Sequence, residues 1–235
     1  MEKNAQPEAQ SGMTYPHTIC PAVTRRVHCP GPDTIRLWTI QPPHIWNALQ
    51  EQGWLLVDPN HSEFADHRDD FPDAYEWMRV QMAQRIPGYA GYYPWWAYQH
   101  FLDLRFYRWH TAPHGQRLMR LELAVPEKQV ILSAYGAWHS VLGGEYLPEA
   151  VAWEDAEQEL NAWQEARTHQ NLNRDERDPR CDPWKTQMQA SWERIFDVEA
   201  RRPTETIQAT FECLKLAEVV KVTEFTSMPE CRRYP

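Results

Sequence analysis

The stretch IRLWTIQPPHIW, residues 35–46, is predicted to begin as a strand and end as a helix. Side chains alternate between the two faces of a strand, so one face carries Ile35 and Leu37 and then Thr39 and Gln41. The two prolines that follow end the strand, because proline has no N–H to donate, and the second proline suits the first turn of a helix. Polar groups at the end of a buried strand are typical of a binding site. A buried polar group that makes its hydrogen bonds within the protein core gives the same pattern.

Composition and charge narrow the class of protein. The 235-residue chain has a formal net charge of −9 and twelve tryptophans. The negative charge argues against broad electrostatic binding to duplex nucleic acid. No apolar run approaches the roughly 20 residues of a membrane helix, and residues 1–12, MEKNAQPEAQSG, lack the apolar core of a signal peptide. We therefore expect a cytoplasmic protein.

The cysteines, histidines and glycines do not form the common cofactor motifs. The five cysteines are scattered without a C-x-x-C pair, which indicates free thiols in a reducing compartment. No H-E-x-x-H occurs, so we expect no metal. The chain also lacks the glycine-rich loops that bind phosphates in nucleotide enzymes.

The hydrophobic pattern predicts a disordered leader over residues 1–33 and a single domain over residues 34–235. The leader is polar and rich in proline, without periodicity. Strands and helices alternate irregularly in the domain, which is typical of an α+β fold. Strands are predicted over 34–41, 54–58, 118–125, 130–135, 206–214 and 218–225, and helices follow Pro43 and Pro72 and cover parts of 137–144, 148–168 and 184–196.

A second strand, TIQATFECL at 206–214, repeats the polar pattern of the first. Alternation places Gln208, Thr210 and Glu212 on one face, opposite an apolar face. A sheet edge that faces solvent would give the same pattern. The aromatic segment 89–110 likewise has two interpretations, which are ordinary packing and a stacking surface for a base or a nicotinamide ring.

The chain shows two resemblances. The motifs LWTIQ, AWHSVL, SWERIF and IQATF resemble a bacterial domain family of unknown function, over the run from Leu37 to Phe225. The segment FECLKLAEVVKVTEF, residues 211–225, is also similar to the end of ADP-ribosyltransferase-type domains, where a glutamate on a strand precedes a short turn and a second strand. The resemblance to those transferases implies a split, mostly antiparallel sheet around an NAD cleft with flanking helices.

The transferase resemblance also implies roles for particular residues. Breaking the bond between nicotinamide and ribose develops positive charge on the ribose, which a nearby carboxylate stabilises. Glu212 would supply that carboxylate, and Gln208 is its rival for the central position.

The same resemblance assigns the NAD-binding residues. Thr39 and Gln41 would hydrogen-bond the nicotinamide ribose or its amide, Tyr135 and Trp138 would stack on the nicotinamide ring, and His139 would position a phosphate or the acceptor. NAD would be a substrate, and no metal would take part.

Transferases of this type in bacteria are often toxins or defence effectors held by an antitoxin, and some modify RNA or DNA rather than protein. The present chain has Thr39 where such enzymes usually carry His or Arg. The alternative is therefore a non-catalytic module that binds a nucleotide, RNA or a partner protein.

Overall fold

The computed structural model describes residues 23–26, 31–58, 70–100, 115–169, 182–203 and 205–227. The strands are β1 (Val23–Arg26), β2 (Thr34–Gln41), β3 (Trp54–Leu56), β4 (Trp95–Tyr98), β5 (Arg117–Pro126), β6 (Ile131–Ala134), β7 (Ile207–Phe211), β8 (Cys213–Lys215) and β9 (Val219–Thr226). The α-helices are α1 (Pro43–Gln52), α2 (Pro72–Arg85), α3 (Tyr135–Leu142), α4 (Trp153–His169), α5 (Asp182–Ser191) and α6 (Val198–Arg201), and 3-10 turns cover Glu127–Gln129, Trp192–Phe196 and Leu216–Glu218.

Seven strands form one sheet in the order β1-β9-β5-β2-β4-β7-β6, and every registered neighbour is antiparallel. A second sheet pairs β3 with β8. The larger sheet consists of two ladders, β1-β9-β5-β2 and β4-β7-β6. They are joined by β2 and β4, for which Trp38–Tyr98 is the single registered pair. The fold is therefore α+β with a mostly antiparallel sheet and flanking helices, as predicted. We call the contact between β2 and β4, with its single registered pair, the division of the sheet.

Local sequence explains the elements nearest to this division. Strand β2 ends before the proline pair, and α1 begins at Pro43 as expected for proline in the first turn. Helix α1 ends at Gly53, whose φ of 81° is left-handed and whose N–H bonds to the carbonyl of Leu49. The chain then enters β3, which pairs with β8.

Two apolar clusters hold the fold together. The first joins α2, α3 and the turn Trp192–Phe196 to β6, and includes Met78, Trp138 and Trp192. The second joins α1 to the larger sheet, and Leu37 and Leu121 are fully buried within it. Tyr75, Met78 and Met82 are spaced along one face of α2, the helix predicted at Pro72, and all three are buried in the first cluster.

Several predicted boundaries differ from the structure. Val23–Arg26, within the predicted disordered leader, forms β1 against β9. Strand β4 lies inside the aromatic segment, where no strand was predicted. Tyr135, predicted as a strand end, begins α3, and the predicted helix over 184–196 is α5 followed by a 3-10 turn. Within the described residues, no helix is both long and apolar enough to cross a membrane.

Candidate nucleotide-binding site

A row of mostly polar side chains crosses the division of the sheet. Residues that face each other in antiparallel strands share a face, and the registered pairs are Trp38–Tyr98, Tyr98–Gln208 and Gln208–Ser133. Gln208 is 4% exposed, and its side-chain amide donates to the Ser133 hydroxyl at 3.3 Å. The interpretation of β7 as a solvent-facing edge is therefore wrong, because β7 lies between β4 and β6.

Aromatic rings continue this row toward the surface. The ring centroids of Tyr98 and Tyr135 are 5.8 Å apart, and those of Tyr135 and His139 are 4.5 Å apart. Burial raises the pKa of Tyr98 far above its usual range, and the hydrogen-bonded Tyr135 hydroxyl raises it further. Tyr135 is half-buried and His139 is exposed, and the His139 Nδ1 lies 2.9 Å from the Tyr135 carbonyl oxygen.

We call this set the Gln208 site. Its members share one face of the sheet or the adjoining start of α3, and they are Trp38, Tyr98, Ser133, Tyr135, His139 and Gln208. The site unites three of the predicted residues, Gln208, Tyr135 and His139. The Gln208 amide and the Ser133 hydroxyl are buried and bond to each other, and the rings of Tyr135 and His139 form the more exposed part of the site.

Trp138 belongs to the core rather than to the surface of this site. It is 4% exposed, and its ring lies 4.9 Å from that of Trp96 and 5.9 Å from that of Tyr75. In the structure as described, its ring packs on these two neighbours.

Thr39 and Gln41 lie on the other face of the sheet. They face Leu121 and Met119 of β5, which belong to the second apolar cluster. Thr39 is 4% exposed and accepts a 2.8 Å hydrogen bond from the Gln41 amide. The expectation that Thr39 and Gln41 line an NAD cleft together with Gln208 is therefore wrong, because Trp38, not Thr39, is in register with Tyr98, which pairs with Gln208.

Glu212 lies outside β7, contrary to the predicted strand. The chain bends at Glu212, and the next residues form β8 in the smaller sheet. The Glu212 carboxylate accepts hydrogen bonds from the backbone N–H groups of Ala90 at 2.9 Å and Tyr92 at 3.0 Å. It therefore fixes the loop between α2 and β4.

Arg79 also holds this loop. Its guanidinium donates two hydrogen bonds to the carbonyl of Gly91, at 2.8 and 3.1 Å, and pairs with Glu76. A small cavity of about 140 Å³ lies beside the loop, lined by Glu212, Cys213 and Lys215 among others. Burial raises the pKa of the Cys213 thiol, which favours its neutral form.

Sequence reasoning missed Tyr98 and Ser133. Tyr98 is the last residue of WWAY, a four-residue strand hidden by its aromatic surroundings, and Ser133 is the polar residue of ILSA. Alternation within these two short strands was the available signal. The segment 101–110, the rest of the predicted stacking surface, lies outside the described residues. In the described ranges, no group of His, Cys, Asp and Glu side chains could hold a metal ion.

Comparisons with known proteins identify the family of the chain. No curated protein and no solved structure matches the chain. The model of a domain of unknown function, DUF3841, matches residues 36–220, which include most of β2, all of β7 and the whole Gln208 site. The chain therefore belongs to the DUF3841 family.

Proposed function

We propose that this chain binds NAD at the Gln208 site. The observation that supports the proposal is the row in which a buried glutamine, a serine and two tyrosines meet at the division of the sheet. A carboxamide such as that of nicotinamide can both donate to and accept from a glutamine amide. The Tyr98 and Tyr135 rings offer aromatic contact for a planar ring, and exposed His139, whose ring contacts that of Tyr135, would contact a phosphate.

ADP-ribosyl transfer is the activity that we propose for the bound NAD. The bond between ribose C1′ and the nicotinamide nitrogen breaks, nicotinamide leaves with the bonding electrons, and an acceptor nucleophile forms a new bond to C1′ as it loses its proton. Gln208 is the proposed central residue because it lies in the row, and its amide oxygen would orient the ribose hydroxyl. Glu212 remains the charged alternative.

The experiment is incubation with labelled NAD and cell extract, followed by separation of labelled protein from labelled RNA and DNA. We expect the wild type to transfer label and Gln208→Ala to lose transfer. If Glu212 supplies the charge instead, Glu212→Gln should lose about a hundredfold in rate while its NAD affinity is kept. Wild-type protein that transfers no label would contradict the catalytic part of the proposal.

A non-catalytic nucleotide-binding or RNA-binding module is the second candidate, and the position of Glu212 favours it. The Glu212 carboxylate accepts hydrogen bonds from two backbone N–H groups of the loop between α2 and β4, which is a structural role. The central Gln208 carries no charge that would stabilise an oxocarbenium ion. NAD binding by the wild type without label transfer would support this candidate.

A transferase of this kind would act on a protein or nucleic-acid acceptor in the cytoplasm, as a toxin or defence effector with an antitoxin partner. Expression tests this biological part. Growth arrest that Gln208→Ala relieves would support a toxin, whereas normal growth on expression of active wild type would contradict it.

A further inference from the structure

Glu205, a residue outside the Gln208 site, contacts the helix that carries two of its side chains. Helix α3 begins at Tyr135 and also holds His139. The Glu205 carboxylate accepts a 2.9 Å hydrogen bond from the N–H of Ala137, in the first turn of α3. The first N–H groups of a helix have no partner within the helix, and a carboxylate there also interacts favourably with the helix dipole.

Glu205 is itself held by a buried cation. Arg201, whose side chain is 7% exposed, donates to the second Glu205 oxygen at 2.9 Å. The same guanidinium group donates to the carbonyls of Arg194 at 3.1 Å and Pro148 at 3.2 Å. These three bonds anchor Arg201 to two separate parts of the chain, so the Glu205 carboxylate has little freedom to move.

Gly136 allows this close approach. A Cβ atom at Gly136 would lie 2.8 Å from the Glu205 Oε2, closer than unbonded atoms approach. The backbone N–H of Tyr135 also bonds to the carbonyl of Thr206, at 2.8 Å. The start of α3 is thus fixed on two sides, with the Tyr135 ring 5.8 Å from the Tyr98 ring.

We infer that the Arg201–Glu205 pair positions Tyr135 for contact with the nicotinamide ring. This inference rests on the proposed NAD site, and it makes Glu205 a positioning residue rather than a catalytic one. Glu205→Gln keeps one acceptor oxygen but removes the negative charge. It also places an amide N–H₂ against either the Ala137 N–H or the Arg201 guanidinium, both of which are donors. The start of α3 should then move, and Tyr135 with it.

The test compares NAD with ADP-ribose, which lacks the nicotinamide ring, by calorimetry. We expect Glu205→Gln to weaken NAD binding about tenfold, since it loses hydrogen bonds to a charged group, and to weaken ADP-ribose binding clearly less. If Glu205→Gln does not fold, Gly136→Ala is the second variant. It keeps the Glu205 charge but displaces the Glu205 carboxylate, and alanine has a higher helix propensity than glycine. It should show the same selective loss of NAD binding. Glu199→Gln, an exposed change on α6, is the matched control.

The outcomes separate this inference from the proposed function. If NAD binding and ADP-ribose binding weaken equally, Glu205 has a general structural role. That result would overturn the inference and leave the proposed function intact. Unchanged NAD affinity in both variants would also overturn it. If the wild type does not bind NAD, the proposed function is wrong and the inference is wrong with it.

Discussion

Glu212 connects two parts of the molecule that are distant in sequence. Its carboxylate accepts backbone N–H groups from the loop between α2 and β4. Hydrogen bonds to a charged acceptor are stronger than neutral ones, and a backbone N–H that loses its partner must find water. The side chain is partly exposed, so the stabilisation is moderate.

We expect Glu212→Gln to lower the free energy of unfolding by about 1 kcal/mol. Urea unfolding monitored by tryptophan fluorescence measures this change. Glu51→Gln, at an exposed position of α1, is the control and should have no effect. Equal stability of the two variants would show that Glu212 does not hold the loop.

Glu159 on α4 gives a pH-dependent contribution. Burial acts to raise the pKa of Glu159, but the backbone N–H groups of Glu149 and Ala150, the Tyr146 hydroxyl and Arg194 together lower it below its usual value. A carboxylate with a lowered pKa in the folded state stabilises the protein above its unfolded-state pKa, and this stabilisation is lost as the pH falls toward the folded-state pKa.

Glu159→Gln should therefore destabilise the protein at pH 7 and differ little from the wild type near pH 3. Unfolding free energies measured across this range test the prediction. Glu157→Gln, on an exposed position of the same helix, should show no such pH dependence. A Glu159→Gln effect that is the same at both pH values would contradict the assigned cause.

At the scale of elements, α2 shows how local pattern determines packing. Met78 is fully buried in the first apolar cluster, whereas Val80, two residues along the same helix, is 52% exposed. We expect Met78→Ala to cost about 3 kcal/mol, from lost burial and the cavity that remains. Thermal unfolding measures this loss of stability. Val80→Ala is the control and should have a much smaller effect. Similar losses for both would mean that α2 does not pack as described.

Short-range patterns predicted this helix and most strands because the periodicities of 3.6 and 2 are local properties. The proline pair likewise marked the start of α1, because the effect of proline on its own backbone is local. The break of β7 at Glu212 was not predictable in this way. It depends on the pairing of Leu56 with Cys213, two residues far apart in the chain, and the alternation of TIQATFECL continues through the break.

At the scale of the whole molecule, strand order determines which polar residues meet. Alternation correctly placed Thr39 and Gln41 on one face of β2, and Gln208 and Thr210 on one face of β7. It could not relate the two faces, because that relation passes through β4, whose register joins Trp38 to Tyr98 and Tyr98 to Gln208. The sequence therefore predicted Gln208 on β7 and two residues of α3, Tyr135 and His139, as members of the site. Its assignment of Thr39 and Gln41 on β2 to the same site was wrong.

The most direct measurement of the central claim is NAD affinity by calorimetry for three proteins. The wild type should bind NAD. Gln208→Met, similar in size but without the amide, should bind about tenfold or more weakly, as expected for lost hydrogen bonds in a buried site. Thr39→Val, a buried change on the opposite face, should bind as the wild type does. Normal binding by Gln208→Met, together with loss of binding by Thr39→Val, would contradict the account.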